Sequence, residues 1–478
     1  MNGWKLCNTV ICLSLILVAY GCGSDDAAGP EDETPQVVSS TYPPDGATDV
    51  PVDVVITVTF LEDMDPASIT DTTFTLSYNP LVPASVTYDA GSRTATLTPD
   101  DLLLYETAYT VRVSAEPAVP AEKGLPATTI WEWGFISIPG GAGLAALPRT
   151  GQTRVYSAGD DGSLQAGIEW PVPRFTDNGD GTITDNLTGL MWLKDADCLY
   201  HHIFNAAVNE ADSLNYSPEA CGCQDYTANY TDWRLPNVNE LESLVHGGQA
   251  HTANWLMSQG FVNVHALYYW TSTTFAYNTW YGCVVNLWVG YVDRQEKNGY
   301  QKVWAVRGET TAPARIWKTG QTTSYAPRDD GDLQAGTDWP SPRFYPTAGN
   351  AAYLDIFTGL VWPADAGTST IGECEGGYMT WQAALDYVAC LNSREYLGCS
   401  DWRLPNRKEL YSLIDHSKYN PALPQDHHFE DVQLGNYWTS TTYAYDTSRA
   451  WIVWIQYGDL SPWDKTVTAW VWPVRGGQ

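Results

Sequence analysis

Apolar positions fall into distinct patterns along this chain. Residues 6–18 (LCNTVICLSLILV) form one nearly unbroken apolar run behind Lys5, about a dozen residues long and too short to span a bilayer comfortably. Between 35 and 137 the apolar residues come in short β-branched runs at 54–60, 73–77, 84–88, 94–98 and 109–114, divided by Pro, Gly and Asp. Short strands at regular spacing with turn chemistry between them predict a β-sandwich. After a small, flexible linker at 138–146 (IPGGAGLAA) the pattern changes. The segment DWRLPN leads into ELESLVHG at 240–247 and, later, ELYSLIDH at 409–416, with apolar residues three to four apart. That spacing predicts a helix after a Pro-fixed turn. Asn237 and Asn406 are the expected N-caps, with Glu240 and Glu409 three residues on, as a capping box requires. YWTSTT at 269–274 and 437–442 predicts a strand. A second strand is expected at 284–289 or 451–457, and a third ending in VWAVRG or VWPVRG, so that a β-meander follows the helix.

These motifs recur as a set. TGQT at 150 and 319, LQAG at 164 and 333, PRF at 173 and 342, and TGLMW at 188 with TGLVW at 358 precede DWRLPN at 232 and 401. YWTSTT and VRG close each set, at an offset of 168 to 170 throughout. A period this long means duplicated globular domains of about 165 residues, not a solenoid. The expected organisation is 1–21 leader, 22–34 acidic tether, 35–137 sandwich, 138–146 linker, 147–309 first copy, 310–314 linker and 315–478 second copy.

Composition narrows the function. The formal charge is −31, and loss of Lys5 with the leader makes the mature chain one unit more negative. Such a surface repels nucleic acid and anionic polymers. Twenty-two tryptophans are several times the usual share. Trp280, Trp288, Trp451, Trp454 and Trp463 lie in or beside the strands after YWTST and are the candidate ligand-binding residues, because indole faces suit sugar rings. Seven cysteines follow residue 22, four in the first copy and three in the second, and local disulfides of undetermined connectivity are expected.

Other candidate chemistry reads as structure. Asp232 and Arg234, like Asp401 and Arg403, are expected to brace the RLP turn as an Arg–Asp pair rather than to act on substrate. Asp177 and Asp180 in DNGDGT are the calcium candidates, but the second copy reads PTAGNAA there, and a hairpin built on Asn-Gly and Asp-Gly explains both. The acidic Glu62, Asp63 and Asp65 read as a solvated loop. No His pair recurs: His201-His202 and His427-His428 are each confined to one copy, and His246 and His251 are five apart. No metal site, no other cofactor and no catalytic residue is expected, and G-x-S-x-G, H-E-x-x-H and P-loop motifs are absent.

Three resemblances complete the reading. Ala19-Tyr20-Gly21-Cys22 resembles the lipobox of bacterial lipoproteins, which implies cleavage before Cys22 and lipidation of its thiol. Gly23 and Ser24 place no Asp directly after that cysteine, which favours an outer-membrane or surface destination. PPDGATDVPVDVVITVTF, EDMDPASI, TATLTP and YTVRV resemble the bacterial Ig-like domain of S-layer and other surface proteins, a spacer. TGLMW, DWRLPN, YWTST and VRG resemble the Lcl C-terminal domain family. The RLP turn, capped helix and closing Arg strand are also similar to the formylglycine-generating-enzyme and C-type-lectin-like fold, which implies two α+β lectin-like domains. Sulfatase-modifying enzymes of that fold use paired reactive cysteines, and no cysteine position here is shared cleanly between the copies. The expected protein is a lipid-anchored, non-enzymatic surface binder of an extracellular glycan or of a matrix or envelope protein. The rivals are a purely structural envelope protein and a glycan-acting enzyme.

Overall fold

The computed structural model describes residues 37–478 except 51–53, 79, 101–102, 105–106, 119–128, 138–144, 218–221, 224, 312, 348–350 and 478. The leader, Cys22, the acidic tether and most of the 138–146 linker lie outside the described residues. The chain divides into two compact units, 1–140 and 141–478. It is mostly β, with about 13% helix.

The first unit contains a four-stranded sheet in the order Val38–Tyr42, Ile56–Phe60, Thr94–Pro99, Ala84–Asp89. A five-stranded sheet runs Ala47–Val50, Thr129–Ser137, Ala108–Ala115, Phe74–Ser77, Leu81–Val82. Alternate residues are buried, among them Ile56, Val58 and Phe60 on one strand and Tyr109, Val111 and Val113 on another. Thr129–Ser137 was not legible as a strand, because exposed Ile130, Trp131 and Ile136 flank buried Trp133 and Phe135, which erases the polar alternation. The acidic residues here have local roles: Asp63 pairs with Arg93 at 2.6 Å and Asp65 caps the Ala67 amide.

The second unit holds both repeats, and they do not form separate heads. One eight-stranded sheet crosses them. Tyr268–Thr274, Tyr281–Asn286 and Val292–Glu296 of the first copy continue into Asp459–Asp464, Arg449–Trp454 and Asn436–Thr442 of the second. The join is antiparallel, Val292 opposite Leu460, and these six strands mirror one another in order, while His201–His202 and Gln301–Lys302 add two more beside Tyr268–Thr274. The third meander strand is therefore Val292–Glu296 or Asp459–Asp464, not the VRG segment. Val306–Arg307 leaves this sheet and pairs with Met191–Leu193, and Arg475–Gly476 pairs with Leu360–Pro363, each in a small four-stranded sheet.

The capped helices are Val238–Glu242 and Arg407–Tyr411, both with complete capping boxes. They are shorter than the apolar spacing suggests because a buried arginine ends each one. Arg174 Nη2 donates to the Ser243 carbonyl (2.7 Å) and Arg343 Nη2 to that of Ser412 (2.9 Å). Each arginine is also forked onto a buried aspartate, Asp185 or Asp355. Longer helices, Phe204–Ser213 and Trp381–Ser393, pack on the large sheet. One disulfide lies in each copy at non-equivalent positions, Cys198–Cys223 and Cys374–Cys390, and Cys283 is a buried thiol.

What joins the copies is a reciprocal exchange of contacts. Both YWTSTT strands carry a bulge before their last threonine, which breaks the ladder there. Gln321, from the TGQT turn of the second copy, accepts from the Thr274 amide and donates to its carbonyl. Gln152 does the same for Thr442 (3.0 and 2.7 Å). A side-chain amide thus replaces a missing neighbouring strand. Asp330 accepts hydroxyl hydrogen bonds from its own Thr319 and from Thr273 across the seam, both 2.6 Å. Asp161 accepts from Thr150 and Thr441 in the same way (2.6 and 2.7 Å). The N-cap asparagines close the set, each donating across: Asn237 to the Ala335 carbonyl (2.9 Å) and Asn406 to that of Ala166 (3.2 Å). Asp at that position would cap the helix but has no donor for this second bond. The turns fit closely: a Cβ on Gly162 would lie 1.9 Å from the Arg154 carbonyl, and on Gly331 2.0 Å from that of Thr323.

The exchange is two-fold, but one buried cluster is not. Glu242 of the first copy sits between Arg407 (3.1 Å) and Lys408 (3.0 Å) of the second. All three are buried, and burial pulls both cations below their ordinary pKa while Glu242 opposes that. The equivalent positions are Val238, Asn239 and Tyr411, so this charge cluster favours the pairing of unlike copies.

Burial raises Asp161 and Asp330 to about 7. Both therefore bind protons more tightly folded than unfolded, and the stability they contribute is full below about pH 4 and lost as pH rises through 7. The double substitution Asp161→Asn, Asp330→Asn is expected to remove that component. In urea denaturation between pH 4 and 8, the parent-minus-variant stability difference should fall steadily with pH. A flat difference would contradict it.

Candidate functional site

The five candidate tryptophans separate by the surroundings of their strands. Trp280 stands on the turn before Tyr281–Asn286 and is 80% exposed. Its turn is held by Asn278, whose side chain accepts from the Trp280 amide, and the second copy makes the same turn with Asp446 and Ser448. The indole is thus not required for the turn. Trp288 (43%) and Trp463 (39%) are also exposed. Trp454 is partly buried, its ring edge-on to Tyr457 at 4.9 Å. Trp451 is a core residue at 2% exposure, with the Arg407 guanidinium 4.0 Å above its ring. It is not available to a ligand. Its strand is covered on both faces, with Ala450 to Val453 all buried, so alternation along the sequence carried no information about which side it faced.

Two exposed aromatic edges emerge, each built from both copies. At the first, Trp288 stacks on His251 (6.0 Å, 15°), and Tyr445 of the second copy meets both rings edge-on at 5.8 and 5.4 Å. At the second, Tyr277 of the first copy meets Tyr419 (5.5 Å) and Tyr457 (5.1 Å) of the second. Tyr277 and Tyr445 are equivalent, each following YWTSTT in the repeated FAY or YAY. That recurrence was the available signal, and it was missed. The first edge is anchored inward: Tyr445 contacts Tyr443, and Tyr443 contacts Trp451. The second rests on Arg294, which lies over Phe275 and Tyr457 and is paired with Asp459. Side chains held this way present a rigid apolar face at little entropic cost on binding.

The repeated charged residues are committed internally. Arg234 forks onto Glu240 (2.6 and 2.7 Å), and Arg403 onto Glu409 at the same distances. Asp232 pairs instead with Arg307 (2.6 Å) and Asp401 with Arg475 (2.8 Å). The expected Arg–Asp pair inside the motif therefore does not form. The capping glutamate takes Arg234, and the Asp ties the turn to the closing VRG strand. Asp177 and Asp180 lie on a hairpin between Phe175–Asp177 and Thr182–Asp185. Asp177 binds Lys194 (2.8 Å) and the Gly179 amide; Asp180 binds Thr182 and Tyr230. Among the described residues no group of three His, Cys, Asp or Glu is placed to hold a metal ion. His246 is wedged against Trp170 (4.9 Å) and Trp255 (4.7 Å), and burial lowers it to about 4.

Comparison with known proteins agrees with this architecture. The bacterial Ig-like domain matches residues 32–135. The Lcl C-terminal domain matches twice, at 181–307 and 351–475, together more than half of the chain. No curated protein matches the chain. Among solved structures, the methionine-rich copper resistance protein PcoC of Escherichia coli is 15% identical, with a TM-score of 0.18, covering 21% of this chain and 94% of its own. CopC of Methylosinus trichosporium OB3b is 15% identical, with a TM-score of 0.18, covering 22% and 93%. The N-terminal part of the bacterial S-layer protein SbsC is 24% identical, with a TM-score of 0.16, covering 21% and 23%. The chain belongs to the Lcl C-terminal domain family, with two tandem copies of that domain following a bacterial Ig-like domain.

Proposed function

We propose that this protein is a cell-envelope lipoprotein that binds an extracellular glycan without acting on it. In this reading Cys22 carries the lipid, the Ig-like domain is a spacer and the two copies together form a lectin-like α+β binding unit. The packing of Phe204–Ser213 and Trp381–Ser393 against the large sheet supports that fold. The observation that carries the function is the pair of exposed aromatic edges, His251–Trp288–Tyr445 and Tyr277–Tyr419–Tyr457. Aromatic faces beside polar tips suit the alternating CH and OH faces of a sugar ring. The high negative charge favours a neutral glycan over a sulfated one.

In a glycan-array screen of the mature chain, at least one of two double substitutions, Trp288→Ala, Tyr445→Ala on the first edge and Tyr277→Ala, Tyr457→Ala on the second, is expected to weaken binding by about ten-fold or more. Binding of no glycan by the parent, or full binding by both variants, would count against these edges as the contact. For the anchor, metabolic labelling with a radioactive fatty acid should mark the parent and not Cys22→Ser. Equal labelling of both would remove Cys22 as the lipid site.

A further inference from the structure

The two copies differ at one place where their frameworks are otherwise equivalent. Trp170 and Trp339 follow the two LQAG motifs, and each lies against a buried arginine, Arg174 (4.2 Å) or Arg343 (5.2 Å). In the first copy this spot is filled. Trp255 packs on Trp170 (5.7 Å), His246 closes its edge (4.9 Å), and the Trp170 indole N–H donates to the Arg149 carbonyl (2.8 Å). Trp255 is carried there by the helix Thr252–Ser258.

The second copy lacks that plug. Ala253 and Ala422 make the same backbone bond to the sheet, to Leu287 and Ile455, which fixes the correspondence. Pro424 then stands where Trp255 does, and Asp415 where His246 does. Pro421 and Pro424 in four residues do not support a matching helix, since proline lacks the amide donor and its ring clashes with the preceding turn. A cleft of about 440 Å³ opens instead, lined by Trp339, Pro340, Ser341, Arg343, Gln425 and Asp426. Beside it the buried Trp339 indole N–H has no partner, whereas its counterpart in the first copy has one; Arg343 Nη1 has none either, as is true of Arg174 Nη1 in the plugged copy. Arg343 is 1% exposed and already neutralised by Asp355. The Trp339 ring is held from within, because the Gly320 turn of TGQT packs on it so closely that a Cβ there would lie 3.1 Å from Cη2. A second cleft of about 270 Å³ shares Gln425 and ends at Tyr419, a member of the second aromatic edge.

We infer that the Trp339 cleft of the second copy is a binding site for a neutral hexopyranose unit, and that the adjoining cleft towards Tyr419 takes the next units of the same chain. This inference rests on the glycan-binding reading above and makes it asymmetric: one groove per chain, in the second copy. The indole face receives the CH face of the ring. The Asp426 carboxylate and the Gln425 amide oxygen accept hydroxyl hydrogen bonds. At the Trp339 cleft the rim carboxylate of Asp426 disfavours an anionic sugar, and Arg343, already paired with Asp355, offers it no free charge.

Titration calorimetry of the mature chain with cellohexaose, maltohexaose, chitohexaose and mannohexaose tests this. One of these should bind with a stoichiometry of one per chain. Trp339→Ala and, separately, Asp426→Asn should each weaken it by about ten-fold or more. Asp426 is exposed, so its substitution reports on the site with little effect on folding. Two equivalents per chain, or full affinity in Asp426→Asn, would overturn the site. Binding that survives both substitutions but is lost on Trp288→Ala, Tyr445→Ala would overturn this cleft and leave the aromatic-edge reading standing. No binding of any of the four would overturn the neutral-hexose assignment.

Discussion

Everything in the second unit depends on how two bulged strands satisfy their backbone at the seam. A strand end with an unpaired amide and carbonyl, buried away from water, costs free energy unless something pairs with it. Here each copy supplies the glutamine that pairs with the other's strand, at Thr274 and at Thr442. Behind the glutamine, the buried aspartate of the same segment reaches the strand's threonine hydroxyl. That threonine in turn accepts from the first amide of the capped helix, Val238 or Arg407. Helix, strand and the opposite copy's turn are thereby one hydrogen-bonded chain. Neither copy completes it alone.

The same constraint explains the shape of the proposed binding surfaces without further assumption. The turn after each YWTSTT strand reaches the other copy, where Tyr277 meets Tyr419 and Tyr457 and Tyr445 meets His251 and Trp288. Tyr277 and Tyr445 sit on those turns, so each exposed aromatic edge is shared between copies. Deviations from two-fold symmetry are then informative. The Glu242–Arg407–Lys408 cluster places three charges out of water at one seam position, where the symmetric counterpart is neutral. Its geometry suits a role in register, since a like-with-like pairing of copies would leave those charges unmatched. The exchange of Trp255 for Pro424 leaves one copy plugged and the other open.

Much of this was legible in the amino-acid sequence, though unevenly. The capping boxes at Asn237 and Asn406, the YWTSTT strands, the hairpin at Asp177 and five of the Ig-like strands follow from local chemistry, and local chemistry carries them. The recurrence of TGQT and LQAG was visible, but its purpose was not. A motif whose partner lies in the other copy looks the same in sequence as one that serves its own. For the same reason an offset of about 169 residues is equally compatible with two separate heads and with one shared sheet. Trp451 shows a different limit. In a strand covered on both faces there is no period to read, so nothing in the sequence marked its indole as core.

The mutual dependence of the copies is tested most directly by hydrogen exchange, read by mass spectrometry, on the full chain and on Gln152→Ala. Gln152 belongs to the first copy, but its side chain pairs with Thr442 in the second. Loss of that pair should cost on the order of 1–3 kcal/mol. Exchange should accelerate in the strand Asn436–Thr442 at least as much as around Gln152 itself. Acceleration confined to the first copy, with Asn436–Thr442 protected as in the parent, would contradict the reciprocal exchange.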